Sequence, residues 1–127
     1  MGTILLVDDE PTVLKLCNQI LNLGGYKVLQ ATGGEEAFRV LQRGDAVPDL
    51  ALLDVIMPGM NGIELARRLQ ERYPTIKIVL MSGYGPREVS RVVGSENPYR
   101  IIWKPFKAQS LLQMIDNVMS ESSGAIA

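Results

Sequence analysis

Histidine is missing from this chain. Without an imidazole there is no Ser-His-Asp or Cys-His nucleophile system, no histidine acid–base relay and no histidine to act as a phosphoryl donor. Cysteine occurs once, at Cys17, which excludes an internal disulfide and a four-cysteine zinc site. Apolar neighbours at helical spacing predict that Cys17 is a small core residue. No apolar run approaches the roughly 20 residues that a membrane span requires. No signal-peptide pattern follows Met1, and Leu6 stands where a myristoylation signature needs Ser or Thr. An excess of one charge is lacking too. The 13 basic and 14 acidic residues give −1, so no global field draws nucleic acid or an anionic membrane. Together these absences predict a cytoplasmic protein with no direct hold on nucleic acid or membrane.

What is present suits one globular domain. A chain of 127 residues is long enough to bury about two-thirds of its unfolded surface. Short apolar runs near 3–7, 26–31, 49–53, 76–81 and 99–103 have the length and continuity of strands buried on both faces. Stretches with helical spacing lie between them. Val13, Leu16, Cys17, Ile20 and Leu23 form one stripe after Pro11, which suits a first helical turn. Ala37, Phe38 and Leu41 form a second, Ile63, Ala66 and Leu69 a third, and Leu111, Leu112, Ile115, Val118 and Met119 the last. Arg87–Val93 is a weaker helical segment. This alternation predicts an α/β fold, a doubly wound parallel five-stranded sheet with helices on both faces. Residues 1–120 read as the domain and 121–127, small and polar, as a flexible tail or linker stub.

Four polar signatures sit at the carboxyl ends of separate apolar runs: Asp8-Asp9-Glu10, Asp54, Ser82-Gly83 and Lys104-Pro105. Ligands of an open α/β sheet bind just beyond those ends. Each signature alone has a plain explanation, as a capping acidic turn, a surface lysine or an ordinary turn. Side by side they describe a site. Clustered carboxylates repel by about 1–4 kcal/mol per pair. A hard divalent cation, Mg²⁺ above others, relieves that repulsion with carboxylates, backbone oxygen and water as ligands. Asp8, Asp9 and Asp54 are the candidate metal carboxylates. Asp54 is also the candidate nucleophile, since a carboxylate can form an aspartyl-phosphate. Lys104 offers a compact ammonium to a phosphoryl oxygen, and Ser82 offers a hydroxyl donor.

On Val7-Asp8-Asp9-Glu10, the segment from Asp54 through Val55-Ile56-Met57-Pro58-Gly59-Met60-Asn61-Gly62, Ser82-Gly83 and Lys104-Pro105-Phe106, the chain resembles the CheY-like receiver domains of two-component response regulators. The resemblance runs from Thr3 to about Met119. It implies a flavodoxin-like sheet in the order 2-1-3-4-5. It implies Asp54 as phosphoacceptor, and Mg²⁺ held by Asp9, Asp54 and the backbone carbonyl of Ile56, with Asp8 helping through water. It implies that Ser82 and Lys104 contact the phosphoryl group. The donor would be a phosphohistidine on a sensor histidine kinase or a histidine phosphotransfer protein. The domain would be no enzyme beyond its own phosphorylation and dephosphorylation. Its switching surface, and a homodimer contact, would be the fourth helix, fifth strand and last helix.

Several positions depart from that pattern or qualify it. Ile101 stands where receivers often carry an aromatic ring, so the usual ring rotation is excluded; Tyr99 is read on the same side of the strand and Trp103 on the other. The segment Arg87–Asn97 suggests a less ordered fourth helix. Ile56 and Tyr84, bulky residues flanking the acceptor, imply restricted water access. The stretch Leu80-Met81-Ser82-Gly83-Tyr84 resembles receivers fused to hybrid sensor kinases. Three rivals stand beside this reading. A pseudo-receiver without phosphotransfer would normally lack an acidic residue or the lysine. A haloacid-dehalogenase-like phosphohydrolase would carry an aspartate where Ile56 stands. A nucleotide-binding flavodoxin-like protein would need a phosphate loop, and Gly83-Tyr84-Gly85 lacks the third glycine of a dinucleotide fingerprint.

Overall fold

The computed structural model describes residues 2–44, 47–93 and 98–121. Strands and helices alternate strictly: β1 (Thr3–Val7), α1 (Pro11–Leu23), β2 (Lys27–Ala31), α2 (Gly34–Arg43), β3 (Leu50–Asp54), α3 (Gly62–Arg72), β4 (Lys77–Ser82), α4 (Pro86–Val93), β5 (Arg100–Trp103) and α5 (Ala108–Ser120). The strands form one sheet in the order β2-β1-β3-β4-β5, parallel throughout. The predicted flavodoxin-like architecture and strand order are what is found.

Alternation along each strand divides the core into two layers. Leu5 and Val7 of β1, Ala51 and Leu53 of β3, and Ile78 and Leu80 of β4 face one side, where α2, α3 and α4 cover them with Ala37, Leu41, Leu65, Leu69 and Val89. Ile4, Leu6, Leu50, Leu52, Val79 and Met81 face the other side, under Leu14, Cys17 and Leu21 of α1 and Leu111, Ile115 and Val118 of α5. Residues 4–7 and 50–53 are wholly buried, which explains their unbroken apolar character. Cys17 is a buried free thiol, as its neighbours predicted. Burial, together with the nearby charge of Asp8, pushes that thiol up to about 11.

Three expectations need correction. Asp54 and Ser82 are the last residues of β3 and β4, not the first residues after them. Each still continues the ladder, Asp54 opposite Met81 and Ser82 opposite Trp103, because backbone pairing does not stop where apolar side chains do. Trp103 lies two positions beyond Ile101, so the period-2 geometry of a strand puts both on one face instead of opposite ones. Tyr99 and Ile101 do share a side and pack on the α2–α4 layer, and the Tyr99 hydroxyl donates to Oε1 of Gln70 at 2.8 Å. The fourth helix spans eight residues, with Val89 its buried contact; residues 94–97 of the weaker segment lie outside the described residues.

Opposite the strand tips, the amino ends of the strands are tied to α5 by a lysine. Lys77, the first residue of β4, donates from Nζ to the carbonyls of Val118 (3.0 Å), Met119 (3.1 Å) and Glu121 (2.5 Å). Carbonyls at the end of α5 and just beyond it thereby receive a cation, which also suits the helix dipole. Arg100, the first residue of β5, pairs with the Glu121 carboxylate. Tyr26, just before β2, donates its hydroxyl to Asp116 of α5.

Candidate functional site

Register builds the site. β1 and β3 pair Val7 with Leu53, so the next residues, Asp8 and Asp54, emerge side by side at the same edge. β4 pairs with β3 and β5 with β4, which carries Ser82 and Lys104 to that edge as well; the Lys104 N–H donates to the Ser82 carbonyl at 2.7 Å. Carboxylate oxygens of Asp8, Asp9 and Asp54 all lie within 4.8 Å of one another. Asp8 is wholly buried, Asp54 is 6% exposed and Ser82 1%, whereas Asp9 faces solvent. This is a half-sunken acidic pocket with one open side.

One cation answers the cluster. Lys104 Nζ lies 2.8 Å from Asp8 Oδ2 and 3.4 Å from Asp54 Oδ1. The lysine thus leans on Asp8 more than on the expected acceptor. Asp8 receives a second donor, the Glu10 N–H at 2.9 Å on Oδ1, and that bond shapes the turn into α1. Burial and then the charge of Asp8 push the Asp54 carboxyl up to about 6, against the pull of Lys104. At neutral pH it is still mostly ionised and nucleophilic. Burial alone would lower Lys104, but its hydrogen bond to Asp8 and the charges of Asp54 and Asp8 win, so its proton is held more tightly than usual. Three carboxylates against one ammonium leave excess negative charge. The donor set, all hard oxygen and open on the Asp9 side, fits a small divalent cation.

Ser82 is brought to the pocket, but its hydroxyl is engaged within its own loop. Oγ accepts from the Tyr84 N–H at 3.0 Å and donates to the Tyr84 carbonyl at 3.2 Å. Tyr84 is 54% exposed, and Ile56 leans on the α2–α4 core layer. Asn61 and Gly62 shape the turn from the Asp54 loop into α3. Asn61 caps α3, its Oδ1 accepting the Glu64 N–H at 2.9 Å, and an Asn-x-x-Glu spacing was the available signal. Gly62 sits so close to the acceptor strand that a Cβ there would stand 2.2 Å from the Asp54 carbonyl oxygen. No sequence signal announces that contact.

A parallel 2-1-3-4-5 sheet with an acidic cluster and a lysine at its strand tips defines a CheY-like receiver. The family described as the response regulator receiver domain matches residues 4–116, and the chain belongs to it. It is a receiver domain of two-component signal transduction, a class that works with histidine kinases or phosphotransfer proteins. Among curated relatives it is 30% identical to the sensor kinase CckA of Brucella abortus, over 94% of this chain and 13% of that protein. It is 37% identical to the phosphate regulon transcriptional regulatory protein PhoB of Pseudomonas aeruginosa, over 92% of this chain and 51% of that protein. A CheY-like response regulator receiver domain protein from Methanospirillum hungatei superposes with a TM-score of 0.77 at 30% identity, covering 94% of each chain. The chain therefore spans between about an eighth and a half of the length of these two curated relatives. No helix among the described residues is long and apolar enough to cross a membrane.

Proposed function

We propose that Asp54 accepts a phosphoryl group from a phosphohistidine on a sensor kinase or histidine phosphotransfer protein, with Mg²⁺ held by Asp8, Asp9, Asp54 and the Ile56 backbone carbonyl. The observation that carries this is the meeting of three carboxylates within 4.8 Å beside a single lysine. The phosphorus–nitrogen bond of the donor breaks as a phosphorus–oxygen bond forms to an Asp54 carboxylate oxygen, and the imidazole nitrogen keeps the electron pair. Bound Mg²⁺ supplies charge neutralisation on the phosphoryl oxygens. Lys104 moves its ammonium from Asp8 towards the new oxygens, which outbid a carboxylate by carrying nearly two charges. Ser82 leaves Tyr84 to donate to a phosphoryl oxygen, and the β4–α4 loop follows it. Ile56 and Tyr84 limit the approach of water to the acyl phosphate.

With Ile101 in place of an aromatic ring, the switch acts through the Ser82 loop and α4 on the surface of α4, β5 and α5. That surface also serves for homodimer contact. In this reading the domain covers residues 1–120 and acts in the cytoplasm without binding nucleic acid itself; the tail or linker expected at 121–127 lies, apart from Glu121, outside the described residues. The test is a titration of the protein with Mg²⁺ and beryllofluoride, followed through Trp103 fluorescence, which reports from the end of β5 next to Lys104. The wild type responds saturably and Asp54→Asn does not. An unresponsive wild type, or an equal response in Asp54→Asn, would overturn the reading in favour of a pseudo-receiver.

A further inference from the structure

The loop between β3 and α3 starts right after Asp54 and carries Ile56, and two glycine contacts hold its far end. One is Gly62 against the Asp54 carbonyl, closed by the Gly62 N–H donating to the Val55 carbonyl at 2.8 Å. The other joins a different element. Pro58-Gly59 turns the chain, with Gly59 at φ +79°, a conformation that side chains rarely adopt. Met60 then lies over Gly34, the first residue of α2. A Cβ on Gly34 would stand 2.9 Å from the Met60 sulfur, 3.1 Å from Cε and 3.4 Å from Cβ. The neighbouring Gly33 is different: extended, with nothing within 4 Å of the place a Cβ would take. Two adjacent glycines thus have opposite requirements, and the one under Met60 is the buried one.

We propose that Met60, seated in the notch over Gly34, is a positioning residue that fixes the acceptor loop, and with it the Ile56 carbonyl, for metal and phosphoryl binding. The inference rests on the site reading above. A thioether is well suited to fill such an irregular gap, yet it is also flexible, so the notch must exclude alternatives for it. Beside it lies a cleft of about 310 Å³ bordered by Thr32, Glu36, Arg39 and Pro58, into which a displaced Met60 can swing. A side chain on Gly34 therefore moves the methionine and loosens the loop without unfolding the domain. Helix propensity works the other way, since alanine at position 34 favours α2. Loss of binding combined with an unharmed fold is the signature of positioning.

The experiment measures Mg²⁺ affinity by calorimetry, beryllofluoride uptake in Mg²⁺, and thermal stability in EDTA. It compares wild type, Gly34→Ala, Met60→Ala, the double variant and Gly33→Ser. Gly34→Ala and Met60→Ala each weaken Mg²⁺ about 10-fold, as loss of a group supporting metal ligands commonly does. The double variant is no weaker than Met60→Ala, because both changes act through one side chain. Gly33→Ser binds as the wild type does. Wild-type affinity in Gly34→Ala, additive losses in the double variant, or a lower EDTA melting temperature with affinity intact would each overturn the proposal and leave the site reading standing. A wild type that binds no Mg²⁺ overturns the site reading, and this inference with it.

Discussion

The two ends of the same five strands use charge in opposite ways. At the carboxyl ends, Asp8 and Asp54 are sunk beside each other with one lysine between them, and the Asp54 carboxyl binds its proton unusually tightly. At the amino ends, Lys77 bonds two carbonyls of α5 and that of Glu121 just beyond it, Arg100 meets Glu121 and Tyr26 meets Asp116. One rim holds more negative charge than it can answer; the other has a partner for each of these groups. The difference shows where a fold can carry function at the expense of stability. The amino rim secures α5 against the sheet, so the carboxyl rim can stay electrostatically incomplete and ready for a ligand.

The sharpest way to test that contrast is to damage the acceptor rim sterically. Gly62→Ala forces a Cβ against backbone, which no rotamer can relieve. It should cost about 3 kcal/mol in urea unfolding, more than any other single change considered for this domain. Next comes the amino rim. Lys77→Met removes a cation bonded to the end of α5 and should cost about 2 kcal/mol. Hydrogen exchange should show protection falling first and furthest in the last turn of α5 and the start of β4. A Lys77→Met protein as stable as wild type would mean the amino rim secures nothing.

Smaller effects separate the rims by sign. Asp54→Asn relieves repulsion at the incomplete rim, so the EDTA-treated protein should gain about 1 kcal/mol at pH 7. Lys104 keeps Asp8 as partner in that variant, which is why the change stabilises. Saturating Mg²⁺ should cancel the gain in the comparison of melting curves. At the other rim, Tyr26→Phe should lose about 0.5 kcal/mol, the worth of one hydrogen bond. Burial first, and then its bond to Asp116, push the Tyr26 hydroxyl up from 10.0 to about 12. The folded protein therefore keeps that proton longer than the unfolded chain does. Its contribution is whole below pH 10 and is lost as pH rises from 10 to about 12. In Tyr26→Phe, that part of the alkaline decline should be absent.

Much of this was legible beforehand for a simple reason. Buried parallel strands are written as unbroken apolar runs, so residues 4–7 and 50–53 announced the sheet and the polar residues after or at their ends announced the site. Strand ends were misjudged by one residue at Asp54 and Ser82 because apolar character stops before backbone pairing does. What stayed hidden depends on contacts distant along the chain. A lysine at the start of β4 reads as a surface residue until the carbonyls of α5 are seen around it. Asp8 as the closer partner of Lys104 depends on the tilt of one side chain, which motif spacing does not encode. Gly34 and Gly33 are the same letter twice, and only the position of Met60 tells them apart.

The grip of Lys77 and Arg100 on the end of α5 has a mechanical side. Any tension on the chain beyond Glu121 passes first to the opening residues of β4 and β5. Those two strands close at the other edge with Ser82 and with Trp103, the residue before Lys104. A pull passing through Glu121 is thus delivered down two stiff rods whose far ends are Ser82 itself and the residue before Lys104, at the rim of the acidic pocket.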